Sequence, residues 1–461
     1  MRRPATWAAG LVLAAAGAAY GQEATPRKIT ADEAVEIALR TSGQIIEAEG
    51  KLEEWQGRLR EVESVFYPKL MGLGFIAPMF KVRDAVDLRA SADVDRDWNS
   101  WGPYLHFEAV LAQPIFTFGR ASAGKRAAAS RAEVERARLT AARNLLALEV
   151  RKLYWLHLYA KSMRPALDSA SQLLEKARKK ADEEYADNSG KVTNVDIQRL
   201  AFGHAELEKF RIQAEIGEDL ALAAMKHTMG LPQNAPLVTA DEMLPDPPDT
   251  LPTLAQLLKR ASENRPEWTQ IQQGKQAALS LEQSEKLANA PVIFLGGQFN
   301  ADWTPQRPDI KNPYYYDPYN QVFGGIALGV LFDIDPWKAS AKAAQARGLQ
   351  KQVEGLEKFA GTGIPMEVRK AHDDAVQAKR IAAVAADGAV ATRKWLIFAG
   401  AAFATGTGEA KDVLEGLAAY LQAKRSHYES LQQLQTALAQ VLYVTGQTAP
   451  AKTTPAGKNA P

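Results

Sequence analysis

The sequence predicts a mainly α-helical fold with a smaller β part, in which one helix–strand–strand–helix–helix unit occurs twice. Ala, Gln, Glu, Leu, Lys and Arg dominate the composition, and this mixture favours long helices. A strand-to-helix stretch, Leu111–Arg120, precedes a long Ala-rich segment and returns in weaker form as Gly325–Lys338. Matching landmark residues also recur at nearly constant spacing. Together these observations predict an internal duplication.

Composition and charge exclude several classes of function. The formal net charge is +2, so no long-range attraction to nucleic acid is expected. The sequence has no cysteine, which excludes a disulfide framework, thiolate chemistry and a cysteine-based zinc site. The histidines are scattered along the chain. No cofactor and no metal site are predicted.

The first residues have the pattern of a signal peptide, assigned to residues 1–21. Two arginines provide a positive start, Ala8–Ala19 is apolar, and Ala19-Tyr20-Gly21 offers small residues at the cleavage positions. The mature chain is expected to begin at Gln22. An N-terminal membrane anchor is the alternative, but the apolar run is much shorter than the ~20 residues that a spanning helix needs.

Residues 29–230 form the first predicted repeat. Thr30 and Glu33 fit an N-cap and capping box, and Tyr67-Pro68 ends that helix. Asn188-Ser189-Gly190 separates a long helix from a returning helix, which ends at Gly230-Leu231-Pro232. In order, the predicted elements are a helix to about Val65, strands 70–80 and 101–118 with the loop Lys81–Ser100 between them, and helices 122–187 and 193–229.

A proline-rich linker, 231–252, leads to the second predicted repeat, 253–446. Gly361–Pro365 is expected to interrupt the second long helix, because proline removes a helix hydrogen bond. The tail, 447–461, is rich in Pro, Lys and Thr and is predicted to be disordered. The predicted elements of this half are helix 254–287, strands 292–303 and 322–332 with the loop Thr304–Asn320, and helices 337–403 and 410–443.

Paired landmarks carry the duplication. Ala38 with Ala261 and Pro68 with Pro291 share one spacing. The pairs that come later in the chain share a second spacing. The change from the first spacing to the second falls in the loop between the two strands of each half, where insertions are tolerated best. The pairs with the second spacing are Phe116 with Phe332, Gly190 with Gly406, Asp196 with Asp412, and Gly230 with Gly446.

The strand lengths indicate a membrane. Strands of about ten residues match the ~9–11 residues that a tilted strand needs to cross an outer membrane. In lipid every backbone amide needs a partner, so such a sheet has to close into a barrel. Bacterial barrels have roughly eight strands or more, and this chain supplies four, so several chains are expected to share one barrel. The alternative interpretation places the strands in a soluble α+β core.

In their order and spacing, the motifs resemble the TolC-type outer membrane efflux protein family. The resemblance rests on a helix followed by Tyr67-Pro68-Lys69-Leu70, on the strand-to-helix motif, on Gly190–Asp196 and on Met229–Pro232. It covers about residues 29 to 446. The residues of the strand-to-helix motif are Gln113, Pro114, Phe116, Gly119 and Arg120.

The resemblance implies a homotrimer in which a twelve-stranded outer membrane β-barrel continues into a periplasmic α-helical barrel. It also implies a location in the outer membrane of a Gram-negative bacterium. Such a protein would be the passive exit duct of a tripartite efflux or type I secretion system. The implied partners are outer membrane lipid, a periplasmic adaptor (membrane fusion) protein and an inner membrane RND- or ABC-type transporter.

The resemblance also implies a gate at the two helix–helix turns. The turns would form the periplasmic tip, close the tunnel at rest and contact the adaptor, which would favour an open state. Lys81–Ser100 and Thr304–Asn320 would face outside. The predicted tip residues are Asn188, Ser189, Gly190, Lys191 and Thr193 in the first turn, and Thr405, Gly406, Thr407, Gly408 and Glu409 in the second.

An enzyme is not predicted. Ser122 and Lys125 match S-x-x-K, but the motifs that accompany it in β-lactamases and related enzymes are missing from the sequence. His372-Asp373-Asp374 could contact a metal, yet adjacent helix positions face different directions. The open alternative is a periplasmic helical scaffold or adaptor protein without channel activity. It would explain the long helices and the signal peptide, but not the paired strands.

Overall fold

A computed structural model describes residues 27–84, 94–187, 192–307 and 314–448. The expected signal peptide and almost all of the tail predicted to be disordered lie outside these described residues. The statements below therefore concern the described ranges.

The first half of the chain places a β-hairpin between two pairs of helices. A short strand and two consecutive helices precede the hairpin, and two long helices follow it. A single 3-10 turn, Ser64–Phe66, leads into the hairpin. The elements are β1 Arg27–Ile29, α1 Ala31–Thr41, α2 Gly43–Glu63, β2 Lys69–Asp84, β3 Val94–Phe116, α3 Arg120–Ala186 and α4 Asn194–Thr228.

The second half repeats this order after a segment that contains one more short strand, β4. β4 pairs in parallel with β1, so the predicted linker contributes a strand to the first half. Each of these strands has 3 residues, too few for an alternating pattern in the sequence to predict a strand. The elements are β4 Leu237–Thr239, α5 Leu254–Asn264, α6 Pro266–Lys286, β5 Val292–Trp303, β6 Gln321–Leu331, α7 Pro336–Ala404 and α8 Ala410–Val444.

The predicted first helix of each half is in fact two helices. The backbone is extended at Ser42 and at Arg265, which separates α1 from α2 and α5 from α6. Pro266 explains the second break, because a proline disfavours the helical conformation in the residue before it. At the first break, Thr41 Oγ1 donates to the Met229 carbonyl oxygen over 2.5 Å. The single-helix predictions are wrong because this tertiary contact and the proline act at points inside a continuous amphipathic pattern.

The predicted interruption of the second long helix is also wrong. α7 runs through Gly361–Pro365 without a break. Proline removes one hydrogen bond, while Ile364 and Val368 on either side are buried in an apolar cluster with α5 and α8. The packing of neighbouring helices therefore holds α7 together at Pro365.

The hairpin strands of the first half are longer than predicted. β2 continues to Asp84 and β3 begins at Val94, so Lys81–Ser100 is not one loop. The register pairs Lys81 with Asp97 and places Arg83 opposite Asp95. Opposite charges directly across an antiparallel pair stabilise it, which explains how a charged segment remains a strand.

One antiparallel sheet joins the two halves. Its strand order is β2-β3-β5-β6, so each half contributes one hairpin and β3 pairs with β5 between the halves. The register shifts between Phe80 and Lys81 and between Pro114 and Phe116. β2 and β6 are the edge strands, and among the described residues their free edges have no strand partner.

The buried core follows the helices rather than the sheet. One cluster surrounds α1 and the middle of α3 and includes Tyr154, Leu158 and Met225. A second packs the far ends of α3 and α7 against the starts of α4 and α8. A third lies between α5, α7 and α8.

Both halves close in the same way at the ends of their returning helices. Gly230 follows α4 and Gly446 follows α8, each with a φ of 72°. A Cβ on Gly230 would collide with the Thr41 carbonyl oxygen, and one on Gly446 would lie 2.5 Å from that of Asn264. Glycine is required at both positions by the left-handed backbone and by this close approach.

None of the helices in the described part of the chain is long and apolar enough to cross a membrane.

We expect Gly230→Ala to destabilise the protein by about 2 kcal/mol or more, because a side chain disfavours the left-handed backbone and the new Cβ would collide with Thr41. The thermal unfolding midpoint, followed by circular dichroism, measures the effect. Gly50→Ala is the matched control, since Gly50 lies within α2 with open space at its Cβ position. That control should gain roughly 1 kcal/mol. An unchanged midpoint for Gly230→Ala would contradict the assigned joint.

A buried histidine should make stability depend on pH. His157 on α3 is buried, and its Nδ1 lies 3.1 Å from the Glu218 carbonyl oxygen. Burial lowers the pKa of His157, and the cations Lys161 and Arg164 add to this, against the opposing effect of Glu218. The unfolded chain therefore binds the proton more readily than the folded protein. Stability is fully present above the unfolded pKa of about 6.5 and is lost as the pH falls below it.

We expect His157→Gln to flatten the decrease of the unfolding midpoint between about pH 7 and pH 5. His227→Gln, at an exposed position near the end of α4, should keep the wild-type slope. Burial also lowers the pKa of His427, so part of the decrease should remain. Equal slopes in the wild type and His157→Gln would contradict the lowered pKa of His157 in the folded protein.

Candidate functional site

The predicted strand-to-helix motif forms the corner between the sheet and α3. Gln113 Nε2 donates to the Phe66 carbonyl oxygen at 3.0 Å and to the Pro114 carbonyl oxygen at 2.9 Å. The register of β3 against β5 shifts between Pro114 and Phe116, where the proline has no amide hydrogen to donate. The rings of Phe116 and Phe118 meet edge to face at 4.7 Å.

The chain turns into α3 at Phe118 and Gly119, whose φ angles are 50° and 90°. Gly119 is the N-cap of α3, and glycine suits this left-handed position because it has no Cβ. Arg120 Nη1 donates to the Ala288 carbonyl oxygen at 3.1 Å, and Ser284 Oγ donates to the Arg120 carbonyl oxygen at 3.2 Å. The corner of the first half is therefore attached to the end of α6 in the second.

One face of the sheet is apolar. Residues directly opposite each other in an antiparallel pair share a face, so the register assigns each side chain to a side. Over the part where β3 pairs with β5, the face of Leu105 and Phe107 contains no ionisable side chain in the described strands. On that face, Ile326 is 82% exposed. The other large exposed residues of this outer face are Leu70, Ile76, Leu111, Phe299, Trp303, Val322, Leu328 and Val330.

Aromatic side chains lie at both ends of the strands. At the hairpin end, Trp98 and Trp101 pack on Phe80, with ring centroids 4.2 and 6.1 Å away. At the helix end, Trp337 is 85% exposed at the start of α7. In membrane proteins Trp and Tyr concentrate at the two boundaries between lipid and water. Other exposed aromatic residues are Tyr314 and Tyr316 at the first end, and Tyr67, Phe116, Phe118 and Phe332 at the second.

The opposite, inner face carries a polar cluster. The Tyr104 hydroxyl donates to Asp302 Oδ1 at 2.5 Å, and His106 Nδ1 lies 2.7 Å from the same oxygen. His106 Nε2 lies 4.0 Å from Glu108 Oε2, and Gln298 Nε2 donates to Glu108 Oε1 at 3.2 Å. Sequence alternation indicates that His106 and Glu108 share a face. Only the register of β3 against β5 brings Asp302 to them.

A buried arginine fixes the segment after β5 at the hairpin end of the sheet. Arg307 is 1% exposed, and its guanidinium lies 4.9 Å from the centroid of Phe80 and 4.5 Å from that of Tyr319. Its Nη1 lies 3.0 Å from Asp317 Oδ1. The Tyr319 ring contacts the Tyr104 ring edge to face at 5.2 Å. The sequence did not predict this contact. It forms only because Arg307, in the segment Thr304–Asn320 predicted as a loop, lies beside Phe80 of β2.

The first helix–helix turn is described from Val192 onward. The Asp196 amide donates to Thr193 Oγ1 at 3.3 Å, and the Thr193 amide donates to Asp196 Oδ2 at 3.1 Å, a capping box that begins α4. The hydrogen bond from the Thr193 hydroxyl lowers the pKa of Asp196. The other predicted residues of this turn, Asn188, Ser189, Gly190 and Lys191, lie outside the described residues.

The second helix–helix turn is described in full. Gly406 has a φ of 75°. Its amide donates to the Phe403 carbonyl oxygen at 3.0 Å, and the Thr407 amide donates to that of Ala402 at 2.9 Å, the Schellman pattern of a helix end. The hydroxyl oxygens of Thr405 and Thr407 are 3.0 Å apart. These residues end α7.

Gly408 and Glu409 begin the return into α8. A Cβ on Gly408 would lie 2.9 Å from Ala402 Cβ, so the turn leaves no room for a side chain there. Glu409 forms a capping box with Asp412, whose Oδ2 accepts from the Glu409 amide at 3.4 Å. Glu409 is therefore the N-cap residue of α8, as Thr193 is the N-cap residue of α4.

Both turns lie at the same end of the helices. Val192, Phe403 and Ala410 are buried in one apolar cluster. α4 and α8 also approach closely, since a Cβ on Gly203 would lie 2.5 Å from Leu414 Cδ2. The strand-to-helix corner lies at the other end of α3, about 100 Å away at 1.5 Å per residue. The two predicted groups of residues are therefore separate sites.

The residues considered for catalysis are engaged in structural contacts. Ser122 Oγ donates to the Gly119 carbonyl oxygen at 3.0 Å, and Lys125 Nζ lies 3.0 Å from Glu63 Oε1. His372 Nδ1 lies 3.1 Å from Asp373 Oδ1, next to an ion pair of Lys370 and Asp374. Within the described ranges, no group of three His, Cys, Asp or Glu side chains is placed to hold a metal ion.

Several solved structures with a similar fold are outer membrane proteins. The CmeC outer membrane channel of Campylobacter jejuni has a TM-score of 0.73 at 15% identity, over 93% of this chain and 90% of that chain. The outer membrane protein VceC of Vibrio cholerae has a TM-score of 0.70 at 16% identity, over 90% and 96%. The MtrE outer membrane channel of Neisseria gonorrhoeae, in its open state, has a TM-score of 0.67 at 16% identity, over 91% of this chain and 89% of that chain.

No protein family model matches the sequence, and no curated protein matches it. The solved structures are similar over about nine-tenths of this chain at low identity, so the similarity is one of fold. The resemblance inferred from the motifs is thus confirmed at the level of the fold. The chain has the mainly helical fold of the outer membrane channels CmeC and MtrE.

Proposed function

We propose that the chain is the outer membrane exit duct of a tripartite efflux or type I secretion system. The uncovered apolar face of the sheet carries this proposal, because aromatic side chains bound it at both ends and no described element covers it. A band of this kind fits the lipid of an outer membrane. The protein would lie in the outer membrane of a Gram-negative bacterium, with its long helices in the periplasm.

The working unit we propose is a homotrimer. The free edges of β2 and β6 leave backbone groups unpaired among the described residues, and these groups need partners in lipid. Pairing β6 of one copy with β2 of the next would satisfy them. Three copies would close a twelve-stranded β-barrel, continuous with a helical barrel in the periplasm.

Exposed apolar side chains on the long helices support the same assembly. Phe202, Ile216 and Leu220 are exposed on α4, and Val384 and Phe398 are exposed on α7. Apolar surface of this extent usually marks a contact with another protein. Neighbouring copies along the helices would cover it.

Conduction in this proposal is passive and needs no catalysis. The two helix–helix turns would form the periplasmic tip and narrow the tunnel at rest. A periplasmic adaptor, coupled to an inner membrane RND- or ABC-type transporter, would bind there and favour the open state. The residues that would form the gate and the adaptor contact are Asn188, Ser189, Gly190, Lys191, Thr193, Thr405, Gly406, Thr407, Gly408 and Glu409.

The first test is the oligomeric state and pore activity of the mature chain extracted from outer membranes in mild detergent. We expect a trimer by detergent-corrected mass, and discrete conductance steps when it is added to planar lipid bilayers. A soluble monomer or dimer that partitions without detergent would instead support a periplasmic helical scaffold.

A disulfide tests the gate. The sequence has no cysteine, so an engineered pair is free of competing thiols. Gly203 and Leu414 bring α4 and α8 together near the tip, where a Cβ on Gly203 would lie 3.9 Å from Leu414 Cγ, so cysteines at these two positions would face each other across the contact. If opening separates the two helix pairs, the oxidised double variant Gly203→Cys, Leu414→Cys should lose dye efflux, and a reductant should restore it.

The controls are the two single-cysteine variants, which should export dye equally under both conditions. The amount of trimer should be the same in all four proteins. Full efflux by the oxidised double variant, with the disulfide verified by mass, would mean that α4 and α8 do not part during transport.

A further inference from the structure

We propose that Glu108 sets the charge preference of the membrane section of the duct, and that this section favours cationic over anionic solutes. The inference rests on the proposed function, because it takes the inner face of the sheet, which carries the polar cluster, as the face that meets the permeating solute. It adds a residue and a sign of charge to that function. Three properties of this face support it: the register, the exposure and the pairing of its ionisable groups.

The register confines ionisable side chains to one face. Over the part where β3 pairs with β5, the outer face of the described strands carries no ionisable side chain, although the amide of Gln113 lies on it. The inner face carries His106, Glu108 and Asp302, together with the amides of Gln298 and Asn300. In a membrane strand, this alternation is the pattern of an apolar lipid side and a polar lumen side.

Two carboxylates and one imidazole give this cluster a negative charge in either state of the histidine. With His106 neutral the three groups sum to two negative charges, and with His106 protonated one negative charge remains. Asp302 is 5% exposed at its side chain and accepts from both Tyr104 and His106, so water barely reaches it. The Glu108 side chain is 31% exposed, so Glu108 is the carboxylate of the cluster that meets the solvent.

Nearby cations do not cancel this charge. Arg307 is buried and paired with Asp317, so that pair is neutral as a unit. Lys69 shares the inner face, but it lies about 13 Å along β2 from Leu73, the residue paired with Glu108. That distance exceeds the Debye length of roughly 8 Å at physiological ionic strength.

A side chain on the adjacent strand β5 holds the Glu108 carboxylate in place. Gln298 Nε2 donates to Glu108 Oε1, and the two atoms are 3.2 Å apart. In a threefold assembly the same position would occur three times around the axis. A passage lined by one sign of charge with low-dielectric walls concentrates counter-ions and repels ions of the same sign. Solutes with a free ammonium group would therefore enter this section more readily than carboxylates or sulfonates of the same size.

A cysteine reporter measures this preference without depending on the state of the tip. Val110→Cys places a thiol on the inner face next to Glu108 along β3, in a chain that has no other cysteine. Intact cells are treated from outside with a cationic or an anionic methanethiosulfonate reagent. We expect faster reaction with the cationic reagent, and a several-fold fall of the cation-to-anion rate ratio when Glu108→Gln is added. The difference should shrink at high salt.

The controls separate the possible results. Tyr316→Cys, in the exposed segment between β5 and β6, should show a rate ratio that Glu108→Gln does not change. Lys69→Gln in the Val110→Cys protein should leave the ratio within error or raise it. An unchanged ratio in Glu108→Gln, with both reagents reacting at the Val110→Cys thiol, would overturn the role of Glu108 and leave the duct intact. No reaction at the Val110→Cys thiol, with Tyr316→Cys labelled, would remove the lumen assignment and with it the proposed duct.

Discussion

The free edges of the sheet are the constraint on which the rest of this protein depends. β2 and β6 end the strand order, and their outward backbone groups have no partner among the described residues. Water could satisfy such groups, but the apolar outer face beside them calls for an environment without water. Pairing with other copies of the chain satisfies both demands at once. In the proposed duct, membrane insertion and oligomerisation would therefore be linked, because one chain leaves the sheet with two free edges.

The helices depend on glycine at a few points where two segments touch. Gly119 turns the sheet into α3, and Gly230 and Gly446 let the returning helices end against backbone of the first helices. At the far end, Gly406 and Gly408 make the second turn tight enough for α8 to return beside α7. In the proposed duct, rigid corners at one end and tight turns at the other would leave the helix pairs to move against each other. Such a division suits a duct that is fixed in a membrane and gated at its tip.

The two halves share an order of elements but not a distribution of charge. The polar cluster draws its members from β3 and β5, the two central strands. β6 contributes no ionisable side chain: Gln321 lies opposite Asp302, and Gly324 and Gly325 lie opposite Phe299 and Gln298. The order of elements is thus repeated in the two halves, while the ionisable groups of the polar cluster lie on the two central strands.

Local chemistry in the sequence alone determined most elements and their order. Some features depend only on residues that are close in the sequence, and these can be predicted without a structure. They are the capping box of Thr193 and Asp196, the helix end at Gly406 and the alternation along β3. Only the tertiary structure decided the break at Ser42, the continuity of α7 through Pro365, the pairing of β1 with β4 and the meeting of His106 with Asp302. These depend on contacts between segments distant in the chain, and on a strand register in which a shift of one residue would reverse every face.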